Sequence, residues 1–225
     1  MKPFPGIKAL VFDAYGTVFD VLSVASLAEQ MFPGKGQALS QGWRAKQLEY
    51  MFLRTLMNRY VPHDRNTEAA LTFVARQLQL PCGPAQRAAL MEAYLHLQPF
   101  ADALPALAAL QAYRCAILSV GTPDMLTQTV RNARLEKHFE RLLSVDSVKV
   151  YKPHPRVYQL ATEELGVTRK EIGFVTSNYF DVAGAKAYGF TVFWINRTGA
   201  LPDELDLLPD ATLGNLTELV SALAG

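Results

Sequence analysis

Several things are scarce in this sequence. Only two cysteines occur in 225 residues, Cys82 and Cys115, and neither belongs to a CxxC pair or a His-rich tract. That argues against a disulfide framework or a cysteine-built zinc site, and the cytosol is the expected compartment. Neither sign of charge dominates: 22 Lys and Arg face 21 Asp and Glu, without a long run of like charges. Nothing therefore points to nucleic acid or an anionic membrane as a partner, and a small molecule is the expected one. Long hydrophobic runs are also missing. The opening Met1-Lys2-Pro3-Phe4-Pro5-Gly6 leads only into Ala9-Leu10-Val11-Phe12 before Asp13, too short for a signal h-region or a membrane span.

What is present suits a compact α/β protein. Half of the residues are hydrophobic, and the length suggests one main domain with a modest insertion. Ala9-Leu10-Val11-Phe12 is an uninterrupted apolar run that ends at Asp13, the pattern of a strand buried on both faces. The same form recurs at Cys115 to Leu118 before Ser119, at Ile172 to Val175 before Thr176, and at Thr191 to Ile195 before Asn196. Helical patterns lie between them, after Asp102, over Met125 to Arg131, over Val157 to Leu165, and over Val182 to Tyr188 ending at Gly189. Such alternation predicts a doubly wound, Rossmann-like parallel sheet whose ligands sit beyond the carboxyl ends of the strands.

Residues from about 21 to 97 break the alternation. They show no buried-strand pattern and at least three amphipathic stretches, so a helical cap is expected there, with residues 1–20 and 98–225 as the core. The clearest cap helix carries Leu48, Met51, Phe52 and Leu56 on one stripe, with Arg44 one turn before them. An arginine on that stripe either enters a site or snorkels its head to water. The other cap helices are expected near Thr67 to Leu78 and Gln86 to His96.

In such a fold Asp13 with Thr17, Ser119, Lys152, and Asn178 with Asp181 converge at one sheet edge. They supply a carboxylate nucleophile, a lysine beside it, hydroxyl and backbone donors for an anion, and a second carboxylate that can act as base. Taken singly, each has a plainer reading. Asp13 could be a helix N-cap, Lys152 a solvated loop residue, Asp181 a partner of a helix dipole, and Tyr15 and Tyr158 packing residues. The four histidines show no ligand spacing and receive no role.

The stretch Phe12-Asp13-Ala14-Tyr15-Gly16-Thr17-Val18-Phe19-Asp20 resembles the first motif of the haloacid dehalogenase superfamily, in the form used by L-2-haloacid dehalogenases. So do Trp43 to Tyr50, Leu118-Ser119, Val150-Tyr151-Lys152-Pro153, Arg156-Val157-Tyr158, Ser177-Asn178 with Asp181, and Trp194 to Gly199, in the same order along nearly the whole chain. The resemblance implies that Asp13 attacks C2 of a small 2-halo acid and forms an aspartyl ester with inversion, while Arg44 receives the halide. It implies that Thr17 and Lys152 position Asp13 and that Ser119 and backbone N–H groups hold the substrate carboxylate. Asp181, supported by Asn178 and Tyr158, would activate the hydrolytic water, and Tyr15, Val120, Thr176 and Phe180 would join Ser119 and Tyr158 in lining the substrate. No cofactor and no metal are implied; similar proteins are often dimers, which leaves a homodimer open.

The superfamily's phosphatases usually carry a second Asp two residues after the nucleophile, where Tyr15 stands. They also carry acidic Mg²⁺ ligands in the last motif, where Thr176-Ser177-Asn178 stands. A halide leaves unprotonated and needs neither. The chain also departs from the dehalogenase pattern. Val120 replaces the usual asparagine, Thr176 a serine, Ala45 a glutamine, and His63 a substrate-lining aromatic. A phosphatase of the same fold and a catalytically weak scaffold remain as rival readings.

Overall fold

A computed structural model describes residues 4–224. Met1 to Pro3 and Gly225, which the sequence reading assigns to the core, lie outside the described residues. Six parallel strands form one sheet: β1 (Ala9–Phe12), β2 (Arg114–Ser119), β3 (Arg141–Ser144), β4 (Ile172–Thr176), β5 (Thr191–Ile195) and β6 (Ala211–Leu213). Their spatial order is β3-β2-β1-β4-β5-β6. The chain leaves β1 in one direction for β2 and β3, then returns to β1's other side for β4. The crevice between the carboxyl ends of β1 and β4 is therefore a topological switch point, where a doubly wound sheet leaves room for a ligand.

The four strands expected from their apolar runs are all present. β3 and β6 were not foreseen, because both are short edge strands, β3 buried only in its last two residues and β6 in none; an edge strand half in water carries no continuous apolar signature. Helices α5 (Ala103–Ala109), α6 (Pro123–Asn132), α7 (Pro155–Leu165), α8 (Tyr179–Tyr188) and α9 (Leu216–Ala224) connect or follow the strands. Their boundaries follow ordinary start and stop chemistry. Thr122 caps α6 ahead of Pro123, and α7 and α8 end at Gly166 and Gly189, both in the left-handed conformation that glycine adopts without strain.

Between β1 and β2 the chain forms α1 (Ala25–Met31), α2 (Gly36–Leu56), α3 (His63–Gln77) and α4 (Pro84–Ala93), with α2 packed on α1 and α3. The expected apolar stripe on α2 is corrected by the structure. The buried positions are Gly36, Leu39, Ser40, Trp43, Gln47 and Met51, whereas Leu48 and Phe52 are half-buried and Leu56 is 79% exposed. The physical reason is Gln47. Its side chain donates to Thr67 Oγ1 and accepts from the Tyr94 hydroxyl, both at 3.1 Å, so a satisfied amide occupies a core position that hydropathy assigns to solvent. Trp43 Nε1 donates to the Thr67 carbonyl at 2.8 Å and fixes the same face.

Helix α8 approaches α7 closely at Gly184. A Cβ built there would lie 2.2 Å from the Tyr158 hydroxyl and 2.6 Å from Pro153 Cβ, so only hydrogen at this position admits the Tyr158 ring. Gly184→Ala overpacks that contact by about 1–3 kcal/mol and is expected to lower Tm by roughly 2–10 °C. Thermal unfolding followed by circular dichroism checks this; an unchanged Tm would show that α7 and α8 separate freely.

Candidate active site

Asp13 is the first residue beyond β1, at the switch point, and its backbone N–H continues the ladder by donating to the Val175 carbonyl at 2.9 Å. The chain then folds back on itself at Gly16, whose φ of 90° suits glycine, and this turn brings Thr17 over Asp13. Three donors meet the Asp13 carboxylate. Lys152 Nζ reaches Oδ1 at 2.9 Å, while Thr17 Oγ1 at 3.0 Å and Asn178 Nδ2 at 2.7 Å reach Oδ2. Thr17 Oγ1 simultaneously accepts from Ser177 N–H at 2.8 Å. That acceptance leaves its own proton directed at Asp13, so the orientation of the carboxylate is fixed from two strands at once.

Lys152 is fully buried and bridges two carboxylates, with Nζ 2.7 Å from Asp181 Oδ2 as well. Burial disfavours its charged form, yet Asp13 and Asp181 outweigh burial and hold it above the usual lysine range. It is an ammonium, not the solvated loop lysine of the plainer reading. Asp181, in the first turn of α8, accepts from the Tyr158 hydroxyl at 2.7 Å through its other oxygen. Burial pushes Asp181 up, with a further push from Asp13, and the Lys152 charge holds it to about 6. Burial and Asp181 keep Tyr158 protonated as a donor.

Arg44 crosses from α2 to this edge. Its Nη2 donates to Asn178 Oδ1 at 3.2 Å and lies 3.5 Å from the Tyr15 carbonyl, so the half-buried head is turned inward and does not snorkel. Asn178 joins the two sides: its amide nitrogen donates to Asp13 and, at 3.0 Å, to the Tyr15 carbonyl. Such an arginine can offer its remaining N–H groups to an anion near Asp13.

The other expected site residues lie at the same edge. Ser119 ends β2, buried, and its Oγ accepts from Gly121 N–H at 3.1 Å, leaving the hydroxyl proton to donate. Val120 is buried beside it. Thr176 ends β4, and its hydroxyl oxygen accepts from Asn178 N–H at 3.1 Å. Phe180 packs edge-on against Phe52 of α2 with ring centres 5.3 Å apart, and both line an apolar groove of about 450 Å³ running between α2 and Lys152-Pro153-His154. The Tyr15 ring is buried among His63, Tyr94 and Gly121.

One residue of the Trp194 to Gly199 stretch carries no role of its own in the sequence reading. Arg197 donates to the Thr17 carbonyl at 3.1 Å and to Asp102 at 2.8 Å, stacked over Phe100, and so tethers the loop that follows Asp13. Its position just after the β5 run was the available signal. His63, which stands where the dehalogenase pattern has a substrate-lining aromatic, is fully buried beside Tyr15 and Tyr151. Among the described residues no cluster of three or more His, Cys, Asp or Glu is arranged to hold a metal ion; the Lys152 ammonium fills the space between the two carboxylates.

A family model for haloacid dehalogenase-like hydrolases matches residues 7–189. Haloacetate dehalogenase H-2 of Moraxella sp. (strain B) is 45% identical, covering 97% of this chain and 98% of its own. An (S)-2-haloacid dehalogenase of Pseudomonas sp. (strain YL) is 46% identical over 97% of both chains. The solved structure of L-2-haloacid dehalogenase from Xanthobacter autotrophicus with chloropropionic acid covalently bound superposes with a TM-score of 0.93 at 41% identity, covering 97% of this chain and 99% of that one. With that sheet order, that edge and these relatives, the chain belongs to the haloacid dehalogenase-like hydrolases.

Proposed function

We propose that this protein is an (S)-2-haloacid dehalogenase that converts small 2-halo acids to (R)-2-hydroxy acids and halide, with the helices of about residues 21–97 acting as its cap. The observation that carries this reading is the Asp13 carboxylate, oriented by three donors and joined through Lys152 to a second buried carboxylate. Relatives of the same length support the substrate class: one acts on haloacetates by its name, and another holds chloropropionic acid covalently.

The two Asp13 oxygens have different partners, which suggests a division of labour. Oδ1, held only by Lys152, attacks C2; the C2–halogen bond breaks with inversion and the halide departs toward Arg44 and Asn178. Ser119 and nearby backbone N–H groups hold the substrate carboxylate. Asp181 then accepts a proton from water as that water attacks Cγ of the ester. Oδ2, between Thr17 and Asn178, becomes an oxyanion facing two preformed donors. The Cγ–Oδ1 bond breaks, Lys152 stabilises the departing alkoxide, and Oδ1 takes the proton held by Asp181 and leaves as the product's hydroxyl, while the water's second proton is lost from Asp13 to solvent. Asp13 is regenerated with an oxygen from water. Tyr158 holds Asp181 for this step, and Tyr15, Val120, Thr176 and Phe180 shape the space around the substrate.

Halide release from L- and D-2-chloropropionate in EDTA tests the reading. Full activity on the L acid alone, with D-lactate as product, is expected. Chelator-sensitive phosphate release from phosphomonoesters with no halide release would assign the site to a phosphatase, and no turnover of either class by the folded protein would leave a scaffold.

Asp181 must be deprotonated to accept water's proton, and its folded value is raised to about 6. Steady-state turnover is therefore expected to fall as pH drops through about 6, roughly tenfold per unit below it. The single-turnover burst of halide, which precedes the water step, should persist there. Burst and steady state falling together would move this titration to the attack by Asp13.

A further inference from the structure

Helix α2 meets the core at two places along its length, and each contact leads to a partner of Asp13. Arg44, in its first half, donates to Asn178, which donates to Asp13. Thr55, in its last turn, accepts from the backbone N–H of Tyr151 at 3.1 Å, and Tyr151 is the residue before Lys152. The Tyr151 hydroxyl reaches the same insertion again, donating to the Val61 carbonyl between α2 and α3 at 2.8 Å. This fully buried tyrosine lies in the segment between β3 and α7, yet both its backbone and its hydroxyl are held by the insertion.

The same contact is fastened from outside. The Tyr60 ring lies 5.0 Å from that of Tyr151, and its hydroxyl donates to Asp146 Oδ1 at 2.8 Å. Lys149 pairs with the other Asp146 oxygen at 2.8 Å and lies over the Tyr60 ring. The proposed mechanism uses none of these groups, but the next side chain along is the ammonium that joins its two carboxylates. Lys152 Nζ lies 2.9 Å from Asp13 and 2.7 Å from Asp181. A lysine head sits on a flexible four-carbon stem, so it is only as well placed as the backbone that carries it. We propose that Tyr151 is a positioning residue that, anchored to the cap through Thr55 and Val61, sets the Lys152 ammonium between Asp13 and Asp181. This rests on the dehalogenase reading above and deepens it: the cap supplies the arginine for the halide and also fixes the lysine that supports attack and ester cleavage.

Tyr151→Phe keeps the ring and removes the bond to Val61. Thr55→Val keeps the bulk of the side chain and removes the acceptor of the Tyr151 N–H. Each is expected to lower kcat on L-2-chloropropionate by about tenfold or more, because a small displacement of a positioned group is costly in rate, and to change KM far less. Thr55→Ser, which keeps the hydroxyl, is expected to retain the wild-type kcat. A second readout needs no substrate: the titration of the Asp181 carboxyl carbon, followed by ¹³C NMR and assigned by its loss in Asp181→Asn. Lys152, Asp13 and Tyr158 face this carboxylate; burial pushes it up, and Lys152 does most to hold it to about 6. A displaced ammonium therefore lets the midpoint rise. A rise in Tyr151→Phe and Thr55→Val that is absent in Thr55→Ser supports the proposal. A midpoint unmoved in both variants overturns it whatever their Tm, because a contact that only stabilises the fold would lower Tm alone; wild-type turnover in both overturns it as well. Thr55 is half-buried, so Thr55→Val decides the matter if Tyr151→Phe does not fold. Absence of halide release from every 2-chloro acid overturns the dehalogenase reading alone, and the Asp181 midpoint then still tests the placement of Lys152.

Discussion

A lysine ammonium with no access to water lies between two buried carboxylates, Asp13 and Asp181, within 3 Å of each. Each of the three charges would be costly to bury by itself; together they offset one another only if the geometry is kept. Removing the lysine would strand two carboxylates at one sheet edge, and a buried charge that loses its partner typically costs about 3–5 kcal/mol. Much of the surrounding structure serves to keep that geometry. Tyr158 occupies the outer oxygen of Asp181, Gly184 makes room for Tyr158, and Thr17 and Asn178 take the oxygen of Asp13 that Lys152 leaves.

The sheet order explains why these residues meet although they are far apart in sequence. β1 and β4 are neighbours, so the residues that follow them, Asp13 and the segment from Ser177 to Asp181, face each other across one crevice. Lys152 enters from the segment leading into α7, and Arg44 from helix α2 of the insertion. Arg44 spans from the helical segment to Asn178, so the asparagine couples the position of α2 to that of Asp13.

The core strands were legible because strands buried on both faces must be continuously apolar; β3 and β6 escaped because edge strands need not be. The convergence of Asp13 with Thr17, Ser119, and Asn178 with Asp181 on one edge followed from strand ends, whereas Lys152, in the segment before α7, follows none of them. The partner of each followed only from the fold: Tyr158 on Asp181, or Thr17 accepting from Ser177 while donating to Asp13, depends on rotamers that spacing does not encode. On α2 the Arg44 side was inferred from a stripe that the structure rotates, because buried Gln47 satisfies its amide through Thr67 and Tyr94. His63 was legible only by resemblance, as the residue at a substrate-lining aromatic's position, since a histidine without ligand spacing reads the same in a core, in a site or on a surface.

The central claim is that Asp13 forms a covalent ester and that water attacks the enzyme, not the substrate. A single turnover with excess enzyme in ¹⁸O-water, followed by mass spectrometry of the peptide containing Asp13 and of the product, tests it most directly. The account predicts one ¹⁸O in the Asp13 side chain and an unlabelled 2-hydroxy acid. Label in the product with none in Asp13 would mean that water displaces the halide directly, and would contradict the account.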